Sequence, residues 1–271
     1  MINIQNLVRD VQLVREKSPL IHNITNYVVM NNTANALLSI GASPVMAHSI
    51  DEVVEMTGIA SALVLNIGTL DAEWVESMVL AGKTASKRNI PVVFDPVGAG
   101  ATSYRTKVCK RIIEECKPSI IRGNASEILA LSHANIQTKG VDSTASSDSA
   151  LDSAKTLAIQ TQSVVVISGP TDYITDGIQV NTVENGNTMM ARVTGMGCTS
   201  TAIVGAFAAI NSNLLEAATH GMAVMGIAGE VAAFKSAGTG SLQMNFLDEL
   251  YRLNDETIQM TIKQSVAHET F

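Results

Sequence analysis

Residues 62–100, ALVLNIGTLDAEWVESMVLAGKTASKRNIPVVFDPVGAG, decide the fold. Two β-favouring runs, Ala62 to Ile67 and Val92 to Phe94, flank a segment long enough to be a helix. The same alternation extends in both directions. Short runs of this kind recur at Leu20 to Ile24, Pro44 to Met46, Ser119 to Ile121 and Val164 to Ile167, each followed by room for a helix. Repetition of strand and helix predicts an α/β fold of three layers, with a mostly parallel central sheet between helices. Before the first strand, Ile2 to Lys17 has helical spacing, and Ser18-Pro19 ends it. Ser49-Ile50-Asp51-Glu52 has the pattern of a capping box. The alternation breaks between Asp172 and Val193, where TDYITD, GIQVNTV and TMMARV are separated by Asp-Gly and Asn-Gly, predicting antiparallel hairpins at one sheet edge. Beyond Cys198 the chain is rich in Ala and Gly, and Gly205, Gly221, Gly226 and Gly229 are expected to let helices approach closely. Asp142 to Ser149 is expected to be a surface loop.

The chain has 271 residues, and α/β folds reach about that length as one unit, so residues 1–271 are expected to form a single domain. A net charge of −7 provides no general field for a polyanion, which argues against nucleic acid and anionic membranes as partners. Three cysteines, Cys109, Cys116 and Cys198, form no CxxC pair, so neither a disulfide framework nor a thiolate zinc site is expected. With no signal-like apolar block at the amino terminus, a soluble cytoplasmic protein is the expectation.

Several chemistry-bearing groups fall at predicted strand ends, the edge at which open α/β sheets bind ligands. Thr194-Gly195-Met196-Gly197-Cys198 precedes an apolar helix, and converging amides from Gly195, Met196, Gly197 and Cys198 plus the helix dipole would make an anion hole. A plain glycine turn is the alternative. Cys198, in the first turn of that helix, is expected to have a lowered pKa that suits a base or nucleophile, with a buried structural cysteine as the alternative. Asp95 ends one strand and could reach a metal or phosphate, unless it only starts the turn with Pro96. Arg122 could clamp a phosphate and Glu127 could hold Mg²⁺, while Asn124 and Glu127 also read as a helix cap. Ser168 brings a hydroxyl to the same edge. Gly98-Ala99-Gly100-Ala101-Thr102-Ser103 approaches a dinucleotide fingerprint but lacks its third glycine, leaving an NADP-dependent oxidoreductase as an alternative. Near the amino terminus, Asn26, Met30 and Met46 suit a small apolar ligand with one polar group, although a helix cap at Asn26 and core packing by the methionines is the stronger reading of these residues alone, and His22 reads as structural.

Taken together, SPLIHNITNYVVMN, GASPVMAHSIDEV, ALVLNIGTL, DPVGAGAT, IRGNASEI, KGVDS and VTGMGCTSTAIVGAF resemble the hydroxyethylthiazole kinase family of ribokinase-like enzymes, in family order from Ser18 to Phe207. The resemblance implies a ribokinase-like fold without a lid. It implies ATP-dependent, Mg²⁺-assisted phosphorylation of 4-methyl-5-(2-hydroxyethyl)thiazole in thiamine salvage. By position, it places Asn26, Met46 and Gly195 at the thiazole, Arg122 and Ser168 at ATP, and Asp95 and Glu127 at the metal. Cys198 falls where the wider superfamily has its catalytic base. A homotrimer with sites between subunits is also implied. Met196 and Ser168 depart from the family pattern, the first in size and the second in lacking the methyl group of a threonine. A related kinase of a hydroxymethylpyrimidine or pyridoxal is the nearest alternative, and a non-catalytic binding protein is a third class.

Overall fold

The computed structural model describes residues 2–135 and 147–263. Eight strands form one sheet: β1 (Leu20–Ile24), β2 (Ser43–Val45), β3 (Ala62–Asn66), β4 (Val92–Asp95), β5 (Ile120–Asn124), β6 (Val164–Ser168), β7 (Asp172–Thr175) and β8 (Val180–Val183), in the order β2-β1-β3-β4-β5-β6-β7-β8. β1 to β6 are parallel, and β7 and β8 add antiparallel at one edge. All strands among the described residues belong to this sheet, so none forms a separate lid there.

Alternation within the strands divides the core in two, because successive side chains point to opposite faces. Ile21, Val64, Val93, Ile120 and Val166 face one layer, which contains α1 (Ile4–Lys17), α2 (Met30–Ile40), α8 (Met196–Ala208), α9 (Leu214–Phe234) and α10 (Thr239–Arg252). Leu63, Leu65, Phe94, Ile121 and Ile167 face the other, built from α3 (Val53–Ile59), α4 (Ala72–Arg88), α5 (Ser103–Cys116), α6 (Ala125–Asn135) and α7 (Ser147–Thr161). Burial of each large apolar side chain contributes about 1.5–3 kcal/mol. The layered α/β expectation is met.

Close approach explains the glycines of α8 and α9. A Cβ at Gly205 would lie 2.9 Å from Val64 Cγ2, and one at Gly221 would lie 2.8 Å from the Cα of Val204. Thus α8 lies directly on β3, and α9 directly on α8. By length and composition α9 could cross a membrane, yet 83% of its apolar window is buried inside the fold.

Some expectations need correction. Thr188–Arg192 is a 3-10 helix rather than a hairpin strand, with Asn187 Oδ1 accepting the Met189 amide. The Ser49 capping box does not form: Ser49 Oγ accepts the Asp51 amide, and α3 starts after Glu52 without a side-chain cap. Of the loop expected at Asp142 to Ser149, residues 142–146 lie outside the described residues, and 147–149 open α7. The KGVDS segment also lies outside them. After Leu253 the chain forms α11 (Asp255–Thr261) and ends its described course at Lys263.

Candidate active site

The chain runs outward from β1 to β2 and then crosses back to β3 on the other side of β1, so the switch point of the sheet lies between β1 and β3. A hydrogen bond spans it. Asn26, just past β1, donates Nδ2 to Asn66 Oδ1 at the end of β3 (2.9 Å). Asn66 Nδ2 in turn donates to Asp95 Oδ2 at the end of β4 (2.8 Å), which also accepts the Thr201 hydroxyl of α8 (2.8 Å). Asn26 Nδ2 also points to Cys198 Sγ (3.4 Å). The four residues Asn26, Asn66, Asp95 and Thr201 are all buried. One backbone group sets the direction of the chain: Gly68 N–H donates to Asn66 Oδ1 at 2.9 Å, so that atom must be the amide oxygen. Every other donor and acceptor follows, including an acceptor role for the Cys198 sulfur. Gly68 is required by proximity, since a Cβ there would lie 2.5 Å from Asn26 Nδ2.

The neighbouring end of the site is unsatisfied. Gly195 caps α8 at φ 84°, and no side chain caps the helix. Arg122 on β5 stands against it, because a Cβ at Gly197 would lie 3.0 Å from Arg122 Nη1. Arg122 is 9% exposed, and its Nε is a buried nitrogen without a hydrogen-bond partner among the described residues. A guanidinium and uncapped helix amides facing together form an anion receptor. Both line a cavity of about 530 Å³, together with Ser168, Asp172, Asn185 and Met196. Ser168 Oγ donates to the Gly123 carbonyl (3.3 Å), and Asp172 accepts the Gly169 amide (3.0 Å).

Glu127 realises the helix cap expected of it and adds a contact to the β4–α5 turn. Its Oε2 accepts the Asn124 amide (2.8 Å) while Asn124 Oδ1 accepts the Glu127 amide (2.9 Å), a reciprocal cap. Its Oε1 accepts Gly98 N–H (2.8 Å), which places a carboxylate where a pyrophosphate would need that amide. The dinucleotide reading of the GAGATS turn loses its support. Arg105 of α5 stitches two loops by donating to the carbonyls of Ile67, Val97 and Gly68 at 2.6, 2.7 and 3.0 Å. Among the described residues no cluster of three or more His, Cys, Asp or Glu side chains could hold a metal ion. Two carboxylates, Asp95 and Glu127, beside an anion receptor still fit Mg²⁺, which commonly takes one or two carboxylates plus substrate phosphates.

Burial controls the titration of the site. It raises the Asp95 carboxyl to about 6, against the opposing effects of Arg122 and of the hydrogen bonds from Thr201 and Asn66. It likewise raises Asp172 to about 6. Cys198 departs from expectation: burial, reinforced by the Asp95 charge, pushes its thiol up rather than down. The helix position is correct, but the surroundings disfavour a thiolate. His22 is structural, as expected. Its Nε2 donates to the Ala47 carbonyl (2.8 Å), so Nδ1 accepts from the Thr57 hydroxyl (3.0 Å), and burial lowers its pKa.

Of the residues singled out in the sequence, Asn26, Asp95 and Cys198 share the polar chain, while Arg122, Ser168, Met196 and Gly197 share the cavity. Gly195 lies between them at the helix start, and Glu127 braces the β4–α5 turn. Met46 stands apart at the outer strand, where its carbonyl accepts His48 Nδ1 (3.3 Å). Sequence reasoning missed Asn66, Thr201, Arg105 and Asp172. Asn66 was detectable as a polar residue closing the apolar run ALVLN; Thr201 had no signal apart from helical spacing after Cys198. An aromatic corner was also missed: Tyr27 and His48 pack on Trp74 at ring distances of 4.7 and 4.5 Å.

A model described as the hydroxyethylthiazole kinase family matches residues 11–256. A protein named hydroxyethylthiazole kinase from Leptospira biflexa serovar Patoc is 54% identical over 259 residues, covering 96% of this chain and 97% of that protein. One of the same name from Syntrophus aciditrophicus is 55% identical over 260 residues, covering 96% of each. Among solved structures, a hydroxyethylthiazole kinase protein from Pyrococcus horikoshii OT3 superposes with a TM-score of 0.90 at 40% identity, covering 96% of this chain and 98% of that one. A pyridoxal kinase from Staphylococcus aureus, at a TM-score of 0.60 and 16% identity, shares the fold.

Proposed function

This chain belongs to the hydroxyethylthiazole kinase family, and from that premise we propose how its residues divide the reaction between them. The protein is a phosphotransferase acting on the hydroxyl of 4-methyl-5-(2-hydroxyethyl)thiazole. Arg122 and the amides of Gly195 to Cys198 hold the transferring phosphoryl group of ATP, and Ser168 and Asp172 lie along the rest of the nucleotide. The single observation that carries this reading is the buried Arg122 Nε, without a hydrogen-bond partner among the described residues, beside an uncapped helix start. A buried donor left without a hydrogen bond costs about 1–3 kcal/mol, and an anion in the cavity would complete it.

The alcohol sits by Asn26 and Cys198. Cys198 orients the hydroxyl rather than removing its proton beforehand, because its thiol is held protonated by burial and by Asp95. A loose transition state places little charge on the attacking oxygen, so an orienting contact suffices. Asp95 and Glu127 would hold Mg²⁺ together with the nucleotide phosphates. That ion would supply charge neutralisation on the phosphates. Asn66 and Thr201 fix the Asp95 carboxylate, and Glu127 and Arg105 hold the turn that carries it.

The proposal extends to assembly. Met46 lies outside the hydrogen-bonded group, while Tyr27 and Val28 are 59% and 65% exposed next to Asn26. Both features support a homotrimer in which Met46 closes a neighbouring copy's thiazole site. Three free thiols support a reducing, cytoplasmic setting, and one continuous sheet supports a single domain over residues 1–271.

The test is direct: ATP, Mg²⁺ and the thiazole alcohol are incubated with the protein, and ester and ADP are quantified by mass spectrometry. The reading predicts one ester per ADP. ADP without ester, or preferential phosphorylation of pyridoxal or a hydroxymethylpyrimidine, would overturn it.

A further inference from the structure

The segment beyond Leu253 has no part in the reaction as described above, yet it reaches the wall of the nucleotide cavity. Residues 184–188 and Met190 form one side of that cavity. Lys263, after α11, pairs with the end of β8: its carbonyl accepts Glu184 N–H (3.2 Å), and its own N–H donates to Asn185 Oδ1 (2.7 Å). The Asn185 Nδ2 donates to the Thr261 carbonyl (2.7 Å) and to Glu230 Oε2 on α9 (3.1 Å). Glu230 Oε2 also takes Gly186 N–H (3.4 Å), and Glu230 Oε1 pairs with the Lys263 ammonium. Asn185 is only 7% exposed, and both ends of its amide are used.

The helix behind the wall is shaped to match. A Cβ at Gly226 would lie 2.6 Å from the Asn185 carbonyl oxygen, and one at Gly229 would lie 2.2 Å from Met190 Sδ. Two glycines one turn apart thus let α9 lie against the wall, and Glu230 completes it from the same helix. Loop backbone at a ligand cavity usually moves, so five hydrogen bonds on the stretch 184–186, with an ion pair joining two of their partners, demand a reason.

We infer that the C-terminal segment Asp255–Lys263 is a strut that fixes the nucleotide-side wall, and that Asn185 and Glu230 are positioning residues for the phosphoryl donor. The inference rests on the reading that ATP fills this cavity. The strut lies on the donor side alone, so its loss should affect ATP and spare the alcohol.

Steady-state kinetics with both substrates on full-length Glu230→Ala and Glu230→Gln tests the strut. Glu230→Ala should raise the KM for ATP by roughly fivefold or more, with kcat and the KM for the alcohol within about twofold of wild type. Glu230→Gln keeps an oxygen for Asn185 and Gly186 and should restore most of the ATP KM. If Glu230→Ala does not fold, Lys263→Pro removes the Asn185 Oδ1 donor near the end of the described chain and should give the same ATP effect. An unchanged ATP KM, or equal changes in both KM values, would overturn the inference. Hydrogen exchange on the wild type separates this from the reading beneath it: a non-hydrolysable ATP analogue should slow amides 184–190. Slowed amides with an unchanged ATP KM in Glu230→Ala defeat the strut alone, whereas no slowing defeats the cavity assignment and the strut with it.

Discussion

The two sides of the site, which we propose receive the alcohol and the phosphate, meet at α8 but are built on opposite terms. On the alcohol side, Asn26, Asn66, Asp95 and Thr201 satisfy one another, and Gly68 N–H fixes a single orientation for the whole set. On the other side, Arg122 Nε has no hydrogen-bond partner and the α8 amides have no side-chain cap among the described residues. Saturated buried groups hold a geometry without help, while unsatisfied ones cost free energy until a ligand arrives. On the proposed reading, the fold supplies the place of attack ready-made and leaves the charge of the phosphate to complete the remainder. Electrostatic preorganisation of this kind is a large contributor to catalysis.

The comparison breaks most severely at Arg122. Arg122→Ala should lower kcat/KM for ATP by about 10²–10³-fold, the loss typical of a donor aimed at a developing anion. A lower melting temperature with normal ATP kinetics would make Arg122 a structural residue.

On the saturated side the largest effect is on stability. Asp95 titrates at about 6 when folded, against 3.8 as its ordinary value. A raised carboxyl favours the folded state when protonated, so its contribution is fully present below 3.8 and is lost as pH rises to about 6. The loss is about 3 kcal/mol. In EDTA, the melting temperature of Asp95→Asn minus that of wild type should therefore increase from about pH 4 to about pH 7, by about 5–10 °C. A difference that stays flat with pH would place the Asp95 charge elsewhere.

Gly195→Ala probes the junction of the two sides. Its φ of 84° disfavours a side chain, and the new Cβ would meet buried Val29 Cγ1 at 2.7 Å. A destabilisation of about 2 kcal/mol by thermal or urea unfolding is expected. An unchanged midpoint would mean that the helix start is softer than its geometry implies.

The smallest expected effect is at Cys198. As an orienting group it contributes about one hydrogen bond, so Cys198→Ser should lower kcat by about 3–10-fold with both KM values little changed. A loss of about 10²–10⁴-fold would instead mark it as a general base.

The layers, the parallel strands and the antiparallel edge were legible in the sequence because period-2 burial on both faces writes itself into Leu63, Val64 and Leu65 and their counterparts. Strand-end positions brought Asp95, Arg122 and Ser168 to one edge for the same reason. Cys198 was correctly placed but misjudged, since a thiol's pKa depends on burial and on Asp95, which lies far away in the sequence. The Ser49 box failed because the spacing of Ser and Glu says nothing of where α3 starts. Asn66, Thr201 and the Asn185 strut escaped because each is defined by partners from distant segments, and an ordinary polar residue carries no mark of them.

The contrast between the two sides is tested most directly by a crystal structure with a non-hydrolysable ATP analogue and the thiazole alcohol. Phosphate oxygens should lie within about 3.2 Å of Arg122 Nε and the Met196 to Cys198 amides. The hydrogen bonds of Asn26, Asn66 and Asp95 should be unchanged. A phosphate bound away from Arg122, or a rearranged Asn66 amide, would contradict the account.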